Sequence, residues 1–200
     1  MARFLANAQI EARASALWRR HGLSVGFDVE QLLDTLDLGT LWENDLEAEV
    51  LGLLIPGRRL VVINQRHRAD FERNPGLYRF TLGHEIGHWL LHCEDARANN
   101  MQLIDGERTL CRQGSREPIE IQAEKFASYL LAPTDELKSR MPRHSWNGWP
   151  TVYDLANSFG MSASAMIVRL QEAKLAYRDE EGLPSSGRPT PAGQLDLGLQ

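Results

Sequence analysis

The chain has 200 residues, 42% of them hydrophobic and 24% charged, with a net charge of −5. That length carries one globular core, or a core with a small appendage, and the acidic balance argues against an electrostatic grip on nucleic acid or anionic lipid. No apolar run approaches the ~20 residues that span a bilayer, Met1 to Ile10 lacks the pattern of a secretory signal, and Cys93 and Cys111 are too few for a disulfide framework.

A reducing cytoplasm is the simplest expectation from these facts. In chain order, apolar groups first recur at helical spacing over residues 8–20, with Ile10, Ala14, Leu17 and Trp18 on one side. Asp28 can cap a short second helix whose buried stripe is Val29, Leu32, Leu33 and Leu36. The texture then changes to short apolar runs, 50–55 and 59–64, separated by the turn signal Pro56-Gly57. They predict a β-hairpin in a small antiparallel sheet with a strand near Leu41-Trp42. After the break at Asn74-Pro75-Gly76, a helix is expected over 78–92. A long polar stretch, 94–117, reads as a connection and as a candidate lid over a site. Pro118 suits a first helical position and opens a helix to Leu131, which Pro133 stops. A further helical piece is expected over 134–141, then a helix, a turn at Gly160, and a second helix capped by Ser162. Beyond Asp179 the chain offers little to bury and reads as a disordered tail.

His84-Glu85-Ile86-Gly87-His88 is an H-E-x-x-H motif. On a helix, four residues advance about 6 Å and about 40° past a full turn, which puts two imidazoles on one face at chelating distance. Glu85 then projects beside the metal, where it can accept a proton from the attacking water. A catalytic zinc takes three protein ligands and keeps one open position. His92 is eight residues from His84, about 12 Å along one helix axis, and too far to share the ion; it reads as a packing residue or a support to the ligands. Glu120 and Glu124 lie four apart on the helix after Pro118 and are costly to bury without a cation. One can bind the metal while the other hydrogen-bonds the free ring nitrogen of a ligand histidine. Cys111 is a further candidate ligand, and Cys93 a reduced bystander. Two imidazoles and a carboxylate favour zinc, and manganese or iron can occupy the same donors. Tyr129, Tyr153, His92 and His144 are candidates for a second electrophile.

The run from Arg79 to His92, RFTLGHEIGHWLLH, is similar to the motif helix of the ImmA/IrrE metallopeptidases, and Ile119 to Pro133, IEIQAEKFASYLLAP, resembles that family's second signature. Asn64, the run Leu155 to Ser162, and Arg169-Leu170 also fit, so the resemblance spans roughly residues 8–176. It implies an α+β fold: a mostly helical zincin-like core with a small sheet at 1–145, a helix-turn-helix-like helical segment at 146–178, and the tail at 179–200. It implies that Glu120 is the third ligand, with Glu124 standing where the family has Asn or Asp and Ala132 where Met is common. It also implies a protein substrate, a helix-turn-helix (XRE-type) transcriptional repressor, in phage, mobile-element, stress-response or toxin–antitoxin-like switches. The alternative is a zinc-containing regulatory or sensor protein that binds such a regulator without cutting it. Direct DNA binding by 152–173 is disfavoured, because between Pro150 and Leu175 there are only two basic residues (Arg169, Lys174) against two acidic ones (Asp154, Glu172).

Overall fold

The apolar stripe at the start of the chain forms α1 (Asn7–His21), burying Ile10, Ala14, Leu17 and Trp18. The side chain of Asp28 caps α2 (Val29–Thr35), accepting from the Glu30 and Gln31 amides at 2.9 and 3.4 Å. These are elements of a computed structural model that describes residues 5–93, 109–112, 117–141, 146–178, 182 and 184–185. Three strands follow, β1 (Gly39–Glu43), β2 (Val50–Ile55) and β3 (Leu60–Asn64). β2 and β3 form the expected antiparallel hairpin, with Leu53 opposite Val62.

The sheet is mixed, not purely antiparallel. β3 inserts between β1 and β2 and runs parallel to β1, giving the order β1-β3-β2-β4. The chain leaving β1 passes beyond the place of β3 before turning into β2, and the hairpin then returns β3 into the gap. The fourth strand, β4 (Thr109–Arg112), pairs with β2 and falls within the stretch read as a connection. Apart from Glu117, the remainder of that stretch, and with it the candidate lid, lies outside the described residues.

A short helix that the sequence pattern does not announce, α3 (Arg68–Arg73), leads into α4 (Pro75–His88). α4 begins at Pro75, earlier than expected, because Asn74 caps it by accepting from the Leu77 amide. It stays α-helical only to His88, and Trp89–Cys93 continue as a wider π turn. α5 (Pro118–Leu131) has the expected bounds, and α6 (Thr134–Arg140) follows after Pro133. α7 (Trp149–Phe159) and α8 (Ala163–Glu172) flank Gly160, whose φ of 63° is the left-handed turn, and Ser162 caps α8. Of the residues read as a tail, Pro184–Ser185 are described and pair as β6 with β5 (Tyr177–Arg178); the rest lie outside, save Gly182.

α4 lies between the sheet and α5, and α1 covers the other side of α5, where the Trp18 indole donates to the Leu130 carbonyl at 2.6 Å. One apolar cluster runs from Leu5 to Ala176 and takes in side chains of α7 and α8. The start of α4 touches the α7–α8 turn closely: a Cβ on Gly76 would lie 2.7 Å from the Ser162 nitrogen and 2.8 Å from the Met161 carbonyl carbon. Gly76→Ala is therefore expected to lower the unfolding free energy by about 1–3 kcal/mol, the usual cost of overpacking. A chemical denaturation midpoint equal to wild type would show that the turn yields freely.

Candidate metal centre

Residues 81–88 of α4 are buried on every side, so its motif side chains are held by packing and not by solvent-facing chance. His84 and His88, one turn apart, bring their Nε2 atoms to 2.9 Å from each other. Glu120, in the first turn of α5, reaches across from the neighbouring helix. Its Oε2 lies 3.1 Å from His84 Nε2 and its Oε1 3.2 Å from His88 Nε2. The three residues are 2%, 0% and 5% exposed, and among the described residues they form a cluster able to hold a metal ion.

These residues fit a metal. Two imidazole nitrogens and a carboxylate converging on one point repel unless a proton or a cation lies between them. Tetrahedral zinc with ligand bonds of about 2.0–2.1 Å has ligand–ligand edges of about 3.3 Å, close to the separations observed. Both Nδ1 atoms point away from that point, buried and without a hydrogen-bond partner. If each Nδ1 carries the ring proton, both Nε2 lone pairs are free for a cation.

The approach of α5 that brings Glu120 here depends on small residues. A Cβ on Gly87 would lie 3.1 Å from both Cα and O of Ala123, and one on Gly83 would lie 3.5 Å from the Ala127 Cβ. Gly83 and Gly87 face Ala127 and Ala123 at matched four-residue spacing, a small-residue pattern that the sequence itself carries.

Glu85 sits next to the cluster, 0% exposed, with neither carboxylate oxygen hydrogen-bonded. Burial first, and the charge of Glu120 second, push its carboxyl well above the ordinary range. For Glu120 burial also acts upward, but the hydrogen bonds from His84 and His88 outweigh it and bring the carboxyl down to about 2. Burial lowers His88 against the opposing hydrogen bond to Glu120. A cation at the centre would pull Glu85 back toward the carboxylate that base chemistry needs.

Glu124 lies one turn beyond Glu120 and is half-buried. It hydrogen-bonds neither ligand ring, since both Nδ1 atoms lack partners. Burial raises its carboxyl, with His84 pulling the other way. His92 stands outside the cluster, its ring centroid 5.6 Å from that of His88. Tyr129 lies beneath the Arg169 guanidinium, 4.7 Å from the ring centroid, and Tyr153 stacks on Trp149 at the surface. Cys93 is buried; the Cys111 side chain and His144 lie outside the described residues. Asn64 is wholly buried, its amide donating to the Glu47 and Val50 carbonyls at 2.9 and 2.7 Å.

Arg169 reads from the sequence as one of two cations between Pro150 and Leu175, yet it is 1% exposed. It donates to the Ala132 carbonyl at 2.9 Å and to Thr134 Oγ1 at 2.7 Å, with Glu11 3.6 Å away. It fastens the pair to the core and presents no charge to a phosphate backbone.

No helix among the described residues is long and apolar enough to cross a membrane. No curated protein sequence matches the chain. Among solved structures, a Mycobacterium tuberculosis transcriptional regulator superposes with a TM-score of 0.55 at 14% identity, over 89% of this chain and 54% of its own. That likeness is one of fold, and the chain spans about half the regulator's length. The profile of the IrrE N-terminal-like domain, a peptidase M78 family, matches residues 43–171, which take in both motif helices and the sheet strands β2, β3 and β4. With well over half of its length matched, the chain belongs to the IrrE N-terminal-like domain family.

Proposed function

We propose that this protein is a zinc-dependent endopeptidase whose substrate is a helix-turn-helix (XRE-type) transcriptional regulator. The observation that carries the reading is the convergence of His84, His88 and Glu120 on one point beside the buried, unpartnered carboxyl of Glu85. Membership of a peptidase family supports it. His84, His88 and Glu120 would hold the ion, zinc by preference and manganese or iron by the same donors. When bound, the metal supplies Lewis acidity toward water and toward the peptide carbonyl. The Glu85 carboxylate accepts the proton of the attacking water and returns it to the departing amine. Burial of the cluster keeps bulk water from competing for these groups.

The substrate assignment rests on the family resemblance, and the cytoplasm, where repressors meet DNA, is the matching compartment. Cutting such a protein between its DNA-binding and its other parts would act as a switch. The buried Arg169 leaves the α7–α8 pair better suited to packing or protein docking than to DNA. One observation favours a second reading, a zinc-containing regulator that binds its partner without cutting it: His84, His88 and Glu120 are at most 5% exposed.

Elemental analysis of the purified protein should find about one zinc per chain. The zinc-loaded protein, mixed with a purified XRE-type regulator, should cut it at a single position, stop on chelation, and leave casein nearly intact. Bound zinc without any cut would select the binding role, and rapid casein digestion would replace the specific enzyme by a general one.

A further inference from the structure

His92 is the group near the centre that the reading above leaves without a task. Its Nε2 lies 3.3 Å from the Ile119 carbonyl oxygen. A carbonyl only accepts, so the ring must carry its proton on Nε2 and donate it. The acceptor belongs to the residue immediately before Glu120, inside the first turn of α5. That turn has no side-chain cap from Glu117, and Pro118 brings no amide of its own. This donated bond ties the start of α5 to the π turn, beside the Gly87–Ala123 contact and the approach of Glu120 to His84 and His88.

The π turn explains how His92 gets there. Trp89–Cys93 leave α-helical hydrogen bonding directly after His88, and the turn is fixed on both sides. Arg13 of α1 donates to the Leu90 carbonyl at 3.1 Å, while Trp89, Leu91 and Cys93 are buried at 2–4% exposure with the Arg59 guanidinium 4.9 Å from the Trp89 ring centroid. The His92 ring comes to lie beside that of His88, tilted by 51°. One side chain thus touches a ligand ring on one helix and the backbone that carries the third ligand on the other.

We propose that His92 is a positioning residue for the metal centre, setting the distance from Glu120 to the histidine pair through its hydrogen bond to Ile119. The proposal rests on the metallopeptidase reading for its ligand set. Ligand geometry must be held within about 0.5 Å to bind well, and a bond to the residue adjoining a ligand acts at that scale.

The test compares zinc affinity, by competition with a chromogenic chelator, in wild type, His92→Phe and His92→Gln, alongside the melting temperature of each zinc-free protein. Phenylalanine keeps the ring and loses the donor. It should weaken zinc binding by about 10–100-fold, the range seen when a group supporting a ligand is lost. Glutamine, whose amide reaches as far as Nε2, should recover most of that loss at unchanged melting temperature. Zinc affinity in His92→Phe equal to wild type overturns the proposal, and so does a glutamine variant as weak as phenylalanine, which would make ring volume the cause. Should His92→Phe fail to fold, imidazole nitrogen NMR of the zinc-free wild type decides: the Nε2–H tautomer at His92 supports the bond and the Nδ1–H tautomer overturns it. A wild type that takes up no zinc overturns the metallopeptidase reading and this one with it, whereas zinc uptake indifferent to His92 overturns this one alone.

Discussion

Glutamine in place of Glu85 is expected to leave about one zinc per chain and to slow cleavage of the regulator by about 10²–10⁴-fold, the usual share of a general acid–base group. The substitution keeps shape and burial at a 0% exposed position and removes only the ability to take a proton. A second consequence appears in the metal-free protein. There burial, and then the charge of Glu120, hold the Glu85 carboxyl well above 4.5. The folded state therefore keeps a proton that the unfolded chain has released. For an acid raised in this way, the favourable contribution is complete below the unfolded value of about 4.5 and is lost as pH rises toward the folded one. Metal-free Glu85→Gln should thus be more stable than metal-free wild type at pH 8, with the gap closing near pH 4. Denaturant titrations at the two pH values measure it. Cleavage at the wild-type rate would remove Glu85 from the chemistry, and a gap of constant size would show that another group titrates.

The parts of the fold legible in the sequence are those whose signal is local. The H-E-x-x-H helix and α5 declare themselves by motif, by Pro118 and by Pro133, and α5 has the bounds that its prolines imply. The caps at Asp28 and Ser162 act as their residue types predict. What escaped was set by distant parts of the chain. β4 is four residues long and has its place in the sheet through pairing with β2, where Leu53 lies opposite Leu110. Nothing in 109–112 alone announces it. The parallel pairing of β1 with β3 depends on where the chain passes between β1 and β2, which no alternation of apolar residues records. The π turn after His88 likewise answers to Arg13 and the buried Trp89, far apart in sequence. At the site, helical spacing placed Glu120 and Glu124 on one face but could not choose between them. The family resemblance implies Glu120, and in the structure the close Gly87–Ala123 approach sets α5 where Glu120 meets the histidines. Arg169 shows the reverse error of a local reading: a cation in an amphipathic helix looks like a surface charge until its acceptors at Ala132 and Thr134 are in place.

Alanine at position 120 should strip the metal, while alanine at position 124 should not. Glu120 supplies both oxygens that face the histidine nitrogens, at 3.1 and 3.2 Å, and without it two imidazoles remain for an ion that takes three protein ligands in such sites. The loss in zinc affinity should exceed the roughly 10–100-fold that removal of a supporting hydrogen bond costs. The metal-free Glu120→Ala protein should also lose the stability near neutral pH that a carboxyl held down to about 2 confers. For a lowered carboxyl that stability is present above the unfolded value and fades as pH falls toward the folded one, so wild type and variant should converge only below about pH 4. Glu124 hydrogen-bonds neither histidine ring, and burial shifts its carboxyl toward the neutral form. Its removal should change zinc affinity by less than about 10-fold, below the lost-bond range. Elemental analysis after dialysis, followed by chelator competition, separates the two variants. Loss of zinc from Glu124→Ala with retention in Glu120→Ala would exchange their roles and place the third ligand one helical turn further along α5. Equal loss from both would mean that the charge of this helix face holds the ion, and not one carboxylate at a set distance from His84 and His88.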